Sequence, residues 1–238
     1  MPFFIIFIKI FKVKKLLLFF FILAPFFMFS QQENIKEVDS LYREDQMYVA
    51  LSLNLVQNRP SSFSQHALSS GVAFGYLRDM PINEKRTWAI APGLGYSYNN
   101  LKNNIKVDNS TAVTSYTIDD SFDKNKLVLH QLELPIEIRW RNSTFDSHKF
   151  WRIYTGFKIT YLFASKSEYK SPTESIIYRN NTDLSKIKYG AYLSVGNNTG
   201  NVYAYYALSL LFKDVKIDYR DLNFISFKSI FIFLVLIM

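Results

Sequence analysis

The chain has no cysteine, only 8 glycines and 7 prolines in 238 residues, and only 3 histidines. Without sulfur it can build neither a disulfide framework nor a thiolate metal site. Collagen-like and low-complexity chains need far more Gly and Pro, and disordered ones far fewer large apolar residues, than a sequence 49% hydrophobic and 17% aromatic. His66, His130 and His148 stand at no ligand spacing from one another, so neither a metal site nor a cofactor is expected. Sequences of the G-x-S-x-G, phosphate-loop and dinucleotide-binding kinds are also missing. Ser62 and Ser64 beside His66 are a faint outline of a hydrolase and read better as loop polarity. A non-enzymatic protein is the expectation.

What is present begins with charge. The formal net charge is +8, but residues 1–30 hold Lys9, Lys12, Lys14 and Lys15 and no acid, and setting them aside leaves +4. The remainder is scattered, with no basic helix and no RNA-binding aromatic motif, so nucleic acid is not an expected partner. The lysine cluster is followed by the apolar run Leu16 to Met28, broken only by Pro25, and then by Ser30 at a polar junction. That order is the order of a secretory signal peptide. The run is short of the roughly 20 apolar residues of a membrane helix, and extending it backward would bury lysines at about 2.5–3.5 kcal/mol each. A cleaved signal over residues 1–30 is expected, an uncleaved anchor being the alternative. A short periplasmic lead (31–45) and one domain (46–238) follow.

Past residue 46 no helical period is sustained, whereas alternation with a period of two recurs. In Leu132 to Arg141, the residues Leu132, Leu134, Ile136, Ile138 and Trp140 take one face; Glu133, Pro135, Glu137, Arg139 and Arg141 take the other. Trp88 to Asn99 sets large residues against Ala89, Ala91, Gly93, Gly95 and Ser97, and Phe150 to Ala164 repeats the pattern. Weaker strands are expected over Gln46 to Val56, Gly71 to Asp79, Lys186 to Gly196, Asn201 to Phe212 and Leu222 to Met238, eight in all. Pro92 and Pro135 would sit at bulges, and a phase slip near Leu129 to Gln131 predicts another.

Alternation alone does not separate a soluble sandwich or lipocalin-like cup from a membrane barrel. Two features favour the barrel. Short connections (Met80 to Thr87, Asn142 to Lys149, Asn197 to Gly200) alternate with longer ones (Gln57 to Ser70, Asn100 to Asn125, Glu168 to Ser185, Lys213 to Asp221), as periplasmic turns alternate with extracellular loops. Trp88, Trp140 and Trp151 all fall on the large-residue face at the short-turn end, as one aromatic ring at a membrane interface would. Tyr96, Tyr98, Tyr161 and Phe163 lie toward the other end and would form the second ring. The expected fold is all-β: an eight-stranded, antiparallel, up-and-down transmembrane β-barrel.

Several segments also resemble PorT-type outer-membrane β-barrel proteins of Gram-negative bacteria. They are Leu77 to Asn83, Trp88 to Asn99, Pro135 to Arg141, Ser147 to Arg152 and Tyr203 to Tyr206, within a similarity running from about Asp45 to Phe212. The resemblance implies a monomeric outer-membrane barrel with an accessory part in protein secretion or surface motility. It stops short of the end, where Ile230 to Met238 is an unbroken apolar run and not the alternating, aromatic-terminated strand with which such barrels close.

The inward charges are the candidate site. Glu133, Glu137, Arg139 and Arg141 on the fourth strand face Arg152 and Lys158 on the fifth. If Trp140 pairs with Trp151, Glu133 falls opposite Lys158 and Arg152 reaches Glu137 diagonally. Such a cluster could line a pore or bind an ionic ligand; in a barrel this narrow, paired charges that plug the lumen are the expectation. Lys102, Lys106, Lys124, Lys126, Lys166, Lys170 and Arg179 leave residual basicity near the long loops, facing acidic lipid or polysaccharide. Expected partners are outer-membrane lipid and secretion or surface proteins meeting the loops Asn100 to Asn125 and Glu168 to Ser185. The rival from another class is a lipocalin-like secreted or periplasmic binding protein with an apolar lumen.

Overall fold

A computed structural model describes residues 45–57, 62–65, 68–111, 113–142, 151–197, 200–213, 216–217, 220–221 and 226–237. The expected signal peptide and nearly all of the lead lie outside the described residues, as do His66 and His148. Eight long strands follow the alternating stretches: β1 (Gln46–Gln57), β2 (Ser70–Leu77), β3 (Trp88–Lys102), β4 (Lys124–Arg141), β5 (Trp151–Lys170), β6 (Ile187–Asn197), β7 (Gly200–Ala207) and β8 (Ser226–Ile237). Each pairs antiparallel with its chain neighbour, and β8 pairs with β1, so the ladder returns to its start. Closure of this kind removes sheet edges and gives every strand an inner and an outer face.

The two faces differ as the alternation requires. Leu51, Leu134, Ile136 and Ile159 point outward and are exposed, while Ala50, Ala89, Ala91, Arg139 and Tyr154 point inward and are buried. Large apolar residues thus lie outside and a largely polar set inside, the reverse of a soluble barrel.

Several boundaries depart from expectation. The strands β3, β4 and β5 run well past the apolar stretches, to Lys102, from Lys124 and to Lys170. Much of the two expected long loops is therefore ladder: Ile105–Asp108 pairs with Ser115–Ile118, and Ser175–Arg179 pairs with the end of β5. Conversely, β7 stops at Ala207, because Leu211 and Phe212 leave the sheet to pack in an apolar cluster, where Phe212 bridges Leu184. A short ladder, Met80–Pro81 with Ala89 and Ile90, continues β2 beyond Arg78 and Asp79.

The prolines do not mark bulges. The β3–β4 ladder skips Gly93 and Leu94 opposite Leu134 and Pro135 but resumes in the same register, the missing donors interrupting the bonds without inserting a residue. The bulge lies between His130 and Gln131, which pair with Ala164 and Leu162, leaving Phe163 of β5 as the extra residue. His130 sits on the outer face in the middle of β4.

Candidate functional site: a filled lumen and a banded outer wall

Among the described residues, side chains occupy the inner surface from one end to the other. At the short-turn end Asp79, 1% exposed, accepts from Nη1 of both Arg139 (3.1 Å) and Arg141 (2.9 Å). Arg139 also donates to Glu137 (2.8 Å) and Gln46 (3.0 Å), and its guanidinium lies 4.9 Å from the Tyr154 ring centre. The Nε of Arg141 donates to the carbonyl of Arg86 (3.0 Å), tying the lumen to the turn before β3. One level further in, Tyr192 donates to the second oxygen of Glu137 (3.0 Å) and stacks tilted on Tyr203. Above them Lys158 donates to Glu133 (3.0 Å), with its ammonium 4.7 Å from the Tyr205 ring centre, and Lys188 is buried at the same level opposite Thr160.

Backbone clearance lets these rings in. A Cβ on Gly95 would lie 2.2 Å from Oη of Tyr48, and one on Gly156 2.6 Å from Cζ of Tyr192. The glycines of β3 and β5 therefore make room for tyrosine rings from nearby strands, Tyr192 lying directly opposite Gly156 and Tyr48 two strands from Gly95. A polar shelf follows, Asn54 donating to Asn99 (2.9 Å) and Asn99 to Gln131 (3.0 Å).

Beyond it the lumen turns apolar. Leu101, Leu129 and Leu162 join Ile105 and Tyr116 of the loop hairpin and Leu184 and Phe212 of later loops in one buried cluster. Hydrogen bonds hold the hairpin down: Asn181 donates to the Tyr116 hydroxyl (2.7 Å), which donates to Asp183 (2.8 Å). The Ser121 hydroxyl donates to Asp119 (2.5 Å) and so does Tyr169 (2.6 Å), and these bonds, that from Ser121 first, hold the Asp119 carboxyl down to about 2. Ser62 and Ser64 serve the same loops, their carbonyls accepting from Asn104.

Five of the six expected lumen charges thus join two groups of ion pairs: Glu133 with Lys158, and Glu137 with Arg139 and, through Asp79, Arg141. Arg152 is buried opposite Arg141. The expected register is corrected by two residues. Trp140 pairs with Ile153, which places Lys158 opposite Pro135 and Glu133 opposite Thr160, so the Lys158–Glu133 bond is diagonal. Asp79 and the lumen tyrosines Tyr48, Tyr192, Tyr203 and Tyr205 were not singled out by sequence. For Asp79 a signal existed, since it falls in phase with inward Gly71, Ala73, Gly75 and Leu77.

The outer wall is banded. Trp88 pairs with Trp140, and Trp151 lies on the adjacent strand near the same level, facing outward at 44% and 58% exposure for Trp88 and Trp151. Toward the other end Tyr96 and Tyr98 gather around His130, the Tyr96 hydroxyl 2.7 Å from its Nδ1, with Phe74 and Phe163 alongside and Tyr161 opposite Leu132. From Trp88 to Tyr98 is about 34 Å of strand, or about 26 Å along the axis at a tilt of about 40°, close to the apolar height of an outer-membrane barrel.

Among solved structures the chain is similar to Ail, the attachment invasion locus protein of Yersinia pestis, in complex with the heparin analogue sucrose octasulfate. The two are 10% identical over 82% of this chain and 100% of that one, with a TM-score of 0.42. A triple mutant of the Rhodopseudomonas blastica porin is also similar, 8% identical over 82% of this chain and 100% of that one, with a TM-score of 0.21. No curated protein matches the chain. Likenesses this distant carry no argument, but residues 29–213 match the family model of the outer membrane protein beta-barrel domain, which takes in seven of the eight strands and all of the charged lumen. With its apolar face turned out and its charges turned in, this chain belongs to that family and is an outer-membrane β-barrel protein.

Proposed function

We propose that this outer-membrane barrel is a monomeric, non-conducting and non-enzymatic envelope protein, structural or accessory to a secretion or surface-assembly machine of the PorT type. The observation that carries the non-conducting part is the filling of the lumen by the described residues: an arginine–carboxylate network, a tyrosine layer, an amide shelf and an apolar cap in series. An eight-stranded barrel is just wide enough for side chains to fill. A lipocalin-like carrier would instead need an apolar cup open at one end. The accessory role is supported by the PorT-like segments, and partner contacts belong on the folded hairpin Ile105–Asp108 with Ser115–Ile118 and on the Ser175–Arg179 extension.

Planar-bilayer recording of the purified chain tests this reading. No stable, large channels are expected, and reproducible large steps would contradict it.

A further inference from the structure

Beyond the aromatic cluster, the outer faces of β3, β4 and β5 carry an arrangement that sheet energetics disfavours. Lys102 lies directly opposite Lys126, Lys124 opposite Lys170, and Lys166 opposite Arg179. Directly opposed residues of an antiparallel ladder project to the same side within a few ångströms of one another, and like charges so placed destabilise it. Three such pairs on adjoining strands are joined by one carboxylate, Glu168, which takes Lys124 at 2.6 Å, Lys166 at 3.1 Å and Lys126 at 3.5 Å. One negative charge among six positive ones leaves a strong local excess. Lys106 does not belong to this group, being paired with Glu174.

Position identifies what the excess meets. Along β3 the outward residues run Tyr96, Tyr98, Asn100, Lys102, and the ladder places His130, Val128, Lys126 and Lys124 beside and beyond them. The cations begin four residues past Tyr98, about 10 Å further along the axis at a tilt of about 40°. That is the outer edge of the headgroup layer, whose polar zone extends roughly 5–8 Å beyond the hydrocarbon on each side, and lysine stems are long enough to reach back into it. The side chains point away from the barrel wall, sideways into the lipid layer and not up from the loop tips.

The geometry points to an anionic-lipid site on this wall, in which Lys102, Lys124, Lys126, Lys166, Lys170 and Arg179 hold the phosphate groups of outer-leaflet lipid. The site rests on the outer-membrane reading and on the long-loop end facing outward. Lipid phosphates would relieve the opposed charges, so bound lipid acts as part of the sheet's own stabilisation.

Native mass spectrometry of the full chain refolded in non-ionic detergent tests this, with lipid A and chemically dephosphorylated lipid A as probes. Lipid A is expected to survive on the protein while the dephosphorylated form is lost. Combined Lys102→Gln, Lys124→Gln, Lys126→Gln, Lys166→Gln and Lys170→Gln should cut retention about tenfold, the matching Lys→Arg set should preserve it, and Lys85→Gln at the opposite end should leave it unchanged. Because neutralisation removes repulsion, the Gln variant should fold; the pair Lys124→Gln with Lys126→Gln supplies an independent, smaller loss. Equal retention by wild type and Gln variants, or of dephosphorylated lipid A, would overturn the site. Heat-modifiable migration of each preparation separates the two levels: a folded, shifting barrel that binds no lipid A refutes only this site, whereas a chain that never shifts refutes the barrel reading.

Discussion

Asp79→Ala is expected to cost about 3–5 kcal/mol of folding free energy, more than any single truncation on the outer wall. The carboxylate is buried between two guanidiniums, each also buried, and accepts one hydrogen bond from each. Deleting it leaves two cations in a low-dielectric lumen with fewer counter-charges, and the desolvation already incurred by Arg139 and Arg141 is no longer offset. Arg139 keeps Glu137 and Gln46, so Arg141 should bear most of the loss. Asp79→Asn, which retains an acceptor but no charge, should fall between. Urea midpoints of the detergent- or bilayer-folded protein, followed by loss of heat-modifiable migration, measure the difference. An effect below about 1 kcal/mol, the level of an exposed ion pair, would mean that Asp79 is not buried in this network.

Ile136→Arg should be nearly as damaging, and for the opposite reason. Ile136 is outward-facing, 54% exposed, and sits midway between the tryptophan and tyrosine bands, opposite Pro92 and Phe157. On the surface of a water-soluble protein such a change is close to neutral, within about 0.5 kcal/mol. At a bilayer midplane it costs about 2–4 kcal/mol, falling toward zero near the interfaces. Placing the same arginine at Ile136, Ile138 and Trp140 in turn should therefore give a cost that declines toward the tryptophan end. Equilibrium unfolding in lipid vesicles reads the gradient, and a flat series near zero would be incompatible with lipid contact.

The alternation of Leu132 to Arg141 and of Trp151 to Phe163 was enough to place residues on the correct face of the wall, because a two-residue period is a local property of an extended chain. The bulge was legible for the same reason, as a slip in that period near Gln131. What depends on strand pairing was not. Asp79 matters only because the sheet brings Arg139 and Arg141 of β4 beside it, and the lumen tyrosines only because glycines on nearby strands leave room for their rings. The β4–β5 register was missed by two residues since the sequence of the connection carries no turn type that sets its length. Leu211 and Phe212 continue the alternation of β7 in sequence, yet tertiary packing under the loop hairpin draws them off the sheet. The opposed lysines likewise appear as pairs only once the register of three ladders is known.

The missing cysteines allow the most direct measurement. With no native thiol to compete, single cysteines can be introduced and nitroxide-labelled one at a time in vesicle-reconstituted protein. Labels at outward Leu134, Ile136 and Ile138 should be accessible to oxygen dissolved in the bilayer and shielded from a water-soluble nickel chelate. Labels at inward Ala73, Ala91 and Ser194 should be shielded from both, as a filled lumen requires. Outward sites open to the chelate would show that this face meets water, and inward sites open to it would show that the lumen is not plugged.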